Sequence, residues 1–425
     1  MGAGEVARRI AASPDGHRVR RPVLPDGAAE LDLVYVRTGP RGGTPVLVLP
    51  GGPGMASVLP YRALRRLAAA RGLDVIMVEH RGVGLSRRDS SGRELPVEAV
   101  TVEQVVADLA AALDDAGVER AVVYGTSYGT YLAQGFGLRH PERVAGMVLD
   151  SPTTGPRDLP VVRAHLRRLL WDGDTPDTAR AAALLRGLVA DGVVAGNSAG
   201  RVVPIVYEAA GPHVLERMLE RLRAGRARRT WGWIARAGAR EVDGGGVPFM
   251  VEPDLVAGIA YGELGCGAPP DGHPLDPQVV FAAAAARHPP FTGEPYDLQA
   301  ALPGFPWPVA VVSGERDLRT PRPVAEQVAG LAPDAVLVPL PGLGHSALDS
   351  HPLAALHVAH AVACGGHRRL PDLAPRIARL PRRGPLHHLG RVIAASLAAE
   401  RWAPRRWGPG GGRKAASGSS GTLRR

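Results

Sequence analysis

Residues Gly125-Thr126-Ser127-Tyr128-Gly129 are the stretch that decides the fold of this chain. They follow the continuous apolar run Ala121-Val122-Val123-Tyr124 and open an apolar, helix-like stretch. A serine on a tight strand-to-helix turn needs small neighbours, because the backbone folds sharply there and must leave the hydroxyl exposed at the edge of the sheet. In a chain with 54 glycines the pattern Gly-x-Ser-x-Gly alone is weak, but its place between a strand and a helix predicts a nucleophile elbow with Ser127 as the nucleophile.

Apolar runs typical of buried strands recur on both sides of this turn. They lie at residues 45–49, 74–79, 121–124, 144–149, 309–313 and 335–340, and an alternating pattern at 31–36 predicts an outer strand. Helical patterns, such as those at 61–70 and 102–113, separate several of these runs. Apolar strands that alternate with helices indicate an α/β fold with a mostly parallel sheet covered on both faces.

The strand rhythm stops between residue 151 and about residue 306, where arginine-rich helical patterns are broken by Gly and Pro. This segment predicts an inserted, mainly helical cap at residues 156–306, between core parts at 1–155 and 307–366. A basic C-terminal extension follows at 367–425, with a helical pattern at 388–402. Its Gly/Ser-rich stretch at 408–420 predicts disorder.

Three side chains have the chain order of a catalytic triad. A serine hydroxyl is a poor nucleophile at neutral pH and needs a histidine base, which needs an acid to hold its tautomer and stabilise its charge. In the α/β-hydrolase fold the order is serine, acid, histidine, each on a loop at the carboxyl end of a strand. Asp317 follows the strand at 309–313 and His345 follows the strand at 335–340. We therefore expect this fold with Ser127, Asp317 and His345 as catalytic residues; Asp150 and Glu315 are the alternatives for the acid.

Acyl transfer also needs donors for the developing oxyanion. These are normally the backbone amide after the nucleophile and a second amide from the loop after an early strand. The sequence Leu-Pro-Gly-Gly-Pro-Gly at 49–54 is that loop, and its glycines let the backbone approach the substrate. We expect Gly52 and Tyr128 to form the oxyanion hole, with Gly51 as the alternative to Gly52.

Three motifs together resemble those of one family. They are Gly-Gly-Pro-Gly at 51–54, Glu-His-Arg-Gly-Val-Gly-Leu-Ser at 79–86 and Gly-Thr-Ser-Tyr-Gly-Thr-Tyr at 125–131. They look like the motifs of the prolyl aminopeptidase (proline iminopeptidase) family of α/β-hydrolases, including its tripeptidyl-aminopeptidase relatives. The resemblance covers residues 31–156 and 308–346 well and the cap in patches. Pro50 stands where the family usually has a histidine, and Glu79-His80 stand where it usually has Asp-Gln.

The resemblance implies a serine aminopeptidase that releases N-terminal residues, proline above all, from short peptides and uses no metal or organic cofactor. Such an enzyme binds a free α-ammonium, which is costly to desolvate unless carboxylates meet it. Glu263 and Glu294 lie in cap segments that resemble glutamate-bearing segments of the family, so they are the candidates for amine recognition; solvated surface glutamates are the alternative. Phe291, Trp231 and Trp233 are available as an apolar wall for a prolyl ring, or as core packing.

Two other functions fit the same residues. An esterase, lactonase or amide hydrolase of small-molecule metabolism would use the same triad, because the cap chooses the substrate. A non-catalytic binding protein on a hydrolase scaffold is the alternative from another class. Its weakness is that all three triad positions are filled.

Charge and cysteine content limit the other functions. The net charge of +10 is concentrated in the tail, where residues 367–425 hold fourteen Lys or Arg against two acids. This tail has no nucleic-acid-binding motif, so a solvated tail is expected rather than nucleic-acid binding. Cys266 and Cys364 favour two reduced thiols over a single disulfide. The sequence shows no export signal and no apolar stretch of membrane-spanning length, so we expect a cytoplasmic protein with no membrane span and no metal.

Overall fold

The computed structural model of the chain describes residues 2–242, 246–382 and 388–400. Its centre is an eight-stranded sheet with the strand order β1-β2-β4-β3-β5-β6-β7-β8. The strands β1 and β2 pair antiparallel, as do β2 and β4, and every later pair is parallel. The strands are β1 (Gly16–Pro22), β2 (Glu30–Thr38), β3 (Val46–Leu49), β4 (Val75–Val78), β5 (Ala121–Thr126), β6 (Val144–Asp150), β7 (Val309–Gly314) and β8 (Ala335–Leu340).

The α-helices of the described residues fall into a core group, a cap group and a C-terminal pair. The core group is α1 (Ala3–Ala11), α2 (Arg62–Ala69), α3 (Val102–Asp115), α4 (Tyr128–Arg139), α11 (Leu298–Ala301), α12 (Arg322–Leu331), α13 (Ala347–Ser350) and α14 (Pro352–Ala363). The cap group is α5 (Leu159–Arg167), α6 (Pro176–Ala190), α7 (Gly196–Ala210), α8 (Pro212–Arg223), α9 (Arg228–Val242) and α10 (Gln278–Ala285). The C-terminal pair is α15 (Leu370–Ala378) and α16 (Leu389–Glu400).

Each face of the sheet carries its own apolar layer. Successive side chains of a strand point to opposite faces, so Val123 of β5 joins the layer under α3 and α4 while Val122 joins the layer under α2 and α14. Leu109 of α3 and Leu64 of α2 represent the two helical coverings. Because helices cover both faces, the central strands β3, β4 and β5 are buried along their whole length, as the continuous apolar runs predicted.

The predicted α/β-hydrolase fold is confirmed, and one strand was missed. The strand β1 reads Gly-His-Arg-Val-Arg-Arg-Pro and looks like a basic stretch. It is an edge strand whose outward positions are charged: Arg20 pairs with Glu30 and lies near Asp32 of the neighbouring strand. Charges on an exposed edge discourage pairing with other chains, and they also hide the strand from an apolar pattern.

The cap helices form a third apolar cluster separate from the two sheet layers. Leu185 of α6, Val203 of α7 and Leu219 of α8 are fully buried in it. A small cluster of this kind can position side chains over the carboxyl edge of the sheet without belonging to the sheet core.

The sequence favoured a solvated basic tail, but two helices of the C-terminal extension pack against the rest of the chain. Ile377 of α15 packs into the layer beside the sheet, and Ile393 and Leu397 of α16 pack into the cap cluster. Glu400, at the end of α16, accepts a hydrogen bond of 2.6 Å from the backbone N–H of Thr230 in α9. Of the helix predicted at 388–402, the described part (α16) thus packs on the cap, whereas residues 401–402 and the stretch predicted to be disordered at 408–420 lie outside the described residues.

The structure also bears on the pairing of the cysteines and on membrane-spanning helices. Cys266 and Cys364 are free thiols, so the alternative of a single disulfide between them is not realised. In the three described ranges, no helix has both the length and the apolar character needed to cross a membrane.

Candidate active site

Ser127 lies on a sharp turn between the end of β5 and the start of α4. Its backbone has φ 52° and ψ −123°, a left-handed conformation that is rare outside glycine. The flanking glycines have no room for a side chain: a Cβ on Gly125 would lie 2.1 Å from the carbonyl oxygen of Gly129, and one on Gly129 would lie 2.1 Å from that of Leu49. Strain at the serine and close backbone packing at both glycines are the geometry of a nucleophile elbow.

His345 and Asp317 form a hydrogen-bonded pair on the loops after β8 and β7. The His345 Nδ1 lies 3.0 Å from each carboxylate oxygen of Asp317. Asp317 also accepts hydrogen bonds from the backbone N–H groups of Arg319 and Thr320 and from the Thr320 hydroxyl, each at 3.0 Å. These contacts fix the carboxylate and leave the Nε2 of His345 as the ring nitrogen available for proton transfer.

The two members of this pair shift each other's pKa in opposite directions. Burial alone would raise the pKa of Asp317, but the charge of His345 and the hydrogen bonds that Asp317 accepts hold that pKa below its usual range. Burial alone would lower the pKa of His345, but the charge and hydrogen bond of Asp317 hold it above its ordinary value. The pair therefore stabilises a carboxylate beside an imidazolium, which a histidine general base requires.

Short hydrogen bonds connect the elbow to the histidine loop. The Thr126 hydroxyl, just before the serine, donates to the Ser346 hydroxyl at 2.9 Å, and the Ser346 N–H donates to the Ser151 hydroxyl at 2.9 Å. The Ser127 N–H donates to the carbonyl of Asp150 at 2.9 Å. The structure therefore brings the loops of the three predicted catalytic residues together at the carboxyl edge of the sheet.

The two alternative acids have other partners. Asp150 accepts hydrogen bonds from the backbone N–H groups of Ala347 and Leu348 and from the Tyr124 hydroxyl, at 2.8–3.0 Å. Burial raises the pKa of Asp150 to about 6. Glu315 is exposed and accepts a hydrogen bond of 2.6 Å from the Gly342 N–H. Both carboxylates hold the histidine loop, and neither hydrogen-bonds to His345.

The predicted oxyanion donors lie beside the nucleophile. Tyr128 is the first residue of α4, where a backbone N–H has no partner inside the helix. Gly51 faces the serine, because a Cβ built on it would lie 3.3 Å from the Ser127 Cβ and 3.9 Å from its Oγ. The atoms nearest to the same point on Gly52 belong to Gly54 and Met55. The alternative donor Gly51 is thus the glycine of this loop that the structure places against Ser127.

The two cap glutamates predicted for amine recognition are both partly desolvated. Glu263 accepts a hydrogen bond of 2.8 Å from the Val102 N–H at the start of α3. The Oε2 of Glu294 is buried without a hydrogen-bond partner in the described part of the chain, and its other oxygen lies 3.5 Å from Arg157. Burial is the main cause that raises the pKa of each glutamate.

Both glutamates act electrostatically on Tyr131, in the first turn of α4. A Cβ on Gly155 would lie 2.2 Å from the Glu294 Oε2 and 3.4 Å from the ring of Tyr131, so the carboxylate and the ring flank the same glycine. Burial raises the pKa of the Tyr131 hydroxyl, and the charges of Glu294 and Glu263 raise it further. Tyr131 lies one helical turn after Ser127, so Glu294 borders the helix that begins at the elbow.

The three aromatic side chains predicted for a prolyl wall differ in their surroundings. Trp231 is buried in the cap cluster, and its indole N–H donates to the Ser198 hydroxyl at 2.8 Å, so it serves the cap core. Trp233 is 38% exposed and Phe291 is 47% exposed. Within the described ranges, no group of three or more His, Cys, Asp and Glu side chains is arranged to hold a metal ion.

The family model described as alpha/beta hydrolase fold matches residues 44–352, which is most of the chain. The chain belongs to the α/β-hydrolase family. A probable proline iminopeptidase of Streptomyces coelicolor is 32% identical over 123 residues, which are 29% of this chain and 37% of that relative. Epoxide hydrolase A of Mycobacterium tuberculosis is 32% identical over 125 residues, again 29% of this chain and 37% of that relative. The matched segment thus spans little more than a third of the curated relatives' length.

A solved structure extends the likeness of fold over more of the chain. The crystal structure of proline iminopeptidase from Mycobacterium smegmatis aligns with a TM-score of 0.50 at 20% identity, covering 84% of this chain and 99% of that one. At this identity the likeness concerns the fold.

The sequence did not reveal what holds the chain just after the glycine-rich loop at residues 49–54. Glu79 is completely buried and accepts hydrogen bonds from the N–H groups of Ser57 at 2.6 Å and Val58 at 2.9 Å. Its other oxygen accepts from the Leu85 N–H at 3.3 Å. Glu79 therefore anchors the end of the loop to the strand end of β4. The signal that the sequence offered for this role was the dipeptide Glu79-His80, which stands where the resembled family usually has Asp-Gln.

His80 supports the side chain of Tyr128, the residue after Ser127. Its Nδ1 lies 2.6 Å from the carbonyl oxygen of Arg81, which can only accept, so this nitrogen carries the proton. The Nε2 therefore accepts from the Tyr128 hydroxyl at 3.1 Å. Burial lowers the pKa of His80 to about 4, so the ring is neutral at physiological pH.

The cap shares backbone hydrogen bonds with residues 54–56, at and just after the end of the predicted oxyanion loop. The Ala56 N–H donates to the Met250 carbonyl at 3.0 Å, and the Glu252 N–H donates to the Gly54 carbonyl at 2.8 Å. The Glu252 side chain accepts from the Gly84 N–H at 2.6 Å. Sequence reasoning could not find these contacts, because they join segments about 170 to 200 residues apart.

Proposed function

We propose that this α/β-hydrolase is a serine hydrolase that works through an acyl-enzyme. The Ser127 hydroxyl attacks the substrate carbonyl while the Nε2 of His345 takes its proton and later gives it to the leaving group. Asp317 orients the ring through Nδ1 and stabilises the imidazolium. A water molecule, activated by the same Nε2, then releases the acyl group and restores the serine.

The tetrahedral intermediate carries a negative oxygen that needs donors. The Tyr128 N–H at the start of α4 and the N–H of Gly51 or Gly52 are the groups proposed for it. The closeness of Gly51 to Ser127 supports a donor in this loop. The buried Glu79 and the neutral His80 hold the loop and the Tyr128 side chain, so the donors need little rearrangement during the reaction.

We propose further that the substrate is a peptide with a free N-terminus, with proline favoured at that position. The unpartnered, buried Oε2 of Glu294 carries this proposal. A carboxylate oxygen that gives up water without a partner costs free energy, and an ammonium group of the substrate would supply the missing donor. Glu263 adds a second carboxylate, whose charge also raises the pKa of Tyr131 in the first turn of α4. The exposed Phe291 is then available for the ring of the first residue.

The test compares the wild type with Ser127→Ala, Glu294→Gln and Glu263→Gln. The substrates are proline arylamide, the same compound with its amine acylated, and a short-chain nitrophenyl ester. Loss of one charge-assisted hydrogen bond, about 1.5–3 kcal/mol, should lower kcat/KM on the free-amine compound ten- to a hundredfold in Glu294→Gln. Ester turnover should change little in that variant. Glu142→Gln, whose side chain is 66% exposed, is the control.

An esterase, lactonase or amide hydrolase is the second candidate, and one observation favours it. Arg157 lies 3.5 Å from Glu294, so the protein itself partly compensates the carboxylate. Under this alternative the ester is cleaved, the free amine gives no advantage, and Glu294→Gln has no selective effect. A non-catalytic binding protein would show no turnover of any of the three compounds that depends on Ser127.

A further inference from the structure

One cap helix ends against both loops that carry the histidine and its acid. Glu208, near the end of α7, accepts a hydrogen bond of 2.8 Å through Oε1 from the N–H of Leu318, the residue after Asp317. The Leu318 side chain packs into the apolar cluster of the cap. On the other loop, a Cβ on Gly344 would lie 3.1 Å from the carbonyl oxygen of Glu208. The end of α7 is therefore packed against the neighbours of both Asp317 and His345.

The Glu208 carboxylate is a largely buried charge in a charged neighbourhood. Its side chain is 12% exposed, and its Oε2 lies 3.7 Å from Arg319, whose side chain is 52% exposed. The groups that act on it are Arg319, Asp317 and His345. Burial raises the pKa of Glu208, the charge of Asp317 raises it further, and Arg319 and His345 lower it. Removing water from a carboxylate is costly, so a buried one calls for a role beyond packing.

We propose that Glu208 is a positioning residue, supplied by the cap, that fixes the Asp317 loop and places a negative charge beside the loop of His345. This rests on the proposed serine hydrolase mechanism, in which His345 is protonated in the transition state. The hydrogen bond to Leu318 holds the loop in register with the histidine. The negative charge acts through a desolvated region, where it is screened less than at the surface.

The charges around His345 set the direction of the effect. Asp317 and Glu208 raise the pKa of His345, and Arg319 lowers it. Glu208→Gln keeps an oxygen acceptor for the Leu318 N–H and removes the charge. Glu208→Asp keeps the charge on a shorter side chain that withdraws from Leu318. The two variants separate electrostatics from positioning.

The experiment follows the imidazole of His345 by NMR in protein labelled with ¹³C at histidine, with the signal assigned through His345→Ala. In Glu208→Gln the titration midpoint should fall by roughly half a pH unit or more, since a nearby opposite charge favours the charged form. Arg319→Gln should raise the midpoint. Glu142→Gln is the control: it removes the same charge from a side chain that is 66% exposed and is not among the groups that shift the pKa of His345, so it should leave the midpoint unchanged.

Turnover of the short-chain nitrophenyl ester gives a second readout. Glu208→Asp should keep the wild-type midpoint but lose kcat by roughly tenfold with KM nearly unchanged, because the loop loses its anchor. An unchanged midpoint in Glu208→Gln together with wild-type kcat in Glu208→Asp overturns the inference. If Glu208→Gln fails to fold, the kcat of Glu208→Asp decides it, and a wild-type kcat in that variant overturns the inference.

Fluorophosphonate labelling of Ser127 separates this inference from the proposed function. A wild type that is not labelled, or is labelled equally in Ser127→Ala, removes the serine hydrolase proposal. The NMR comparison needs no substrate, so it judges the electrostatic link between Glu208 and His345 by itself. A labelled wild type with no shift in Glu208→Gln and no loss in Glu208→Asp leaves the hydrolase proposal standing and removes the role of Glu208.

Discussion

An alanine at position 129 perturbs the elbow directly. Gly129 lies two residues after the nucleophile, and its Cα faces the end of β3. A Cβ there would lie 2.1 Å from the carbonyl oxygen of Leu49 and 2.6 Å from that of Pro50. Both are backbone atoms of the oxyanion loop or of the strand that leads into it, so no side-chain rotation relieves the overlap.

The size of the effect follows from these distances. Cβ atoms essentially never approach another heavy atom closer than 3.0 Å, so the loop and the elbow must move apart by about 1 Å in a close-packed interior. Overpacking of this kind costs about 1–3 kcal/mol of the free energy of unfolding. Because the same shift separates Ser127 from the loop in which an oxyanion donor is proposed, we expect turnover to fall about 100-fold.

The assay pairs a urea unfolding curve with turnover of the nitrophenyl ester in Gly129→Ala. The matched control is Gly187→Ala, in the interior of α6, where a Cβ meets no atom within 4 Å. Alanine favours a helix over glycine by about 1 kcal/mol, so this control should be as stable as the wild type or more so. Wild-type stability and turnover in Gly129→Ala would refute the elbow geometry described for this chain.

Three further predictions concern other parts of the molecule. Burial lowers the pKa of His345, but Asp317 more than offsets this effect, so the base loses activity as the pH falls through a raised pKa. The acid limb of kcat/KM should therefore lie above about pH 6.5, and a limb below that pH would contradict the pairing. Asp108→Ala strands the guanidinium of Arg81, which is 0% exposed, and should cost about 3–5 kcal/mol in urea unfolding; a loss below about 1 kcal/mol would speak against it. Ile393→Ala should destabilise the protein by about 2–5 kcal/mol, whereas the half-exposed Val392→Ala next to it should change stability by less than about 0.5 kcal/mol, and equal effects would show that α16 does not pack as described.

Local sequence patterns predicted the sheet and the order of the candidate site residues. Continuous apolar runs identify strands that are buried on both faces, and the loops after those strands necessarily meet at one edge. Ser127, Asp317 and His345 follow from that rule together with the elbow motif. Their assignment as a triad stays a prediction until the serine and histidine variants are measured.

Contacts between distant segments lay beyond the sequence. Nothing in the helical pattern of α7 distinguishes Glu208 from a solvated glutamate, because its partner Leu318 is 110 residues away. The same holds for His80, whose acceptor role depends on where Tyr128 points. The strand β1 was missed for another reason: an edge strand with charged outward positions carries little apolar signal. The packing of α16 on the cap likewise depends on tertiary contacts that its composition does not show.

The backbone hydrogen bonds between the cap and the oxyanion loop bear on how the protein can be redesigned. Caps of hydrolases are attractive units to exchange, since they choose the substrate while the core performs the chemistry. In this chain such an exchange would remove the carbonyl of Met250 and the amide of Glu252, which pair with Ala56 and Gly54. A graft that keeps residues 247–252 from the recipient would preserve the loop. One that replaces them would alter specificity and rate together, so a loss of turnover could be mistaken for a poor substrate fit.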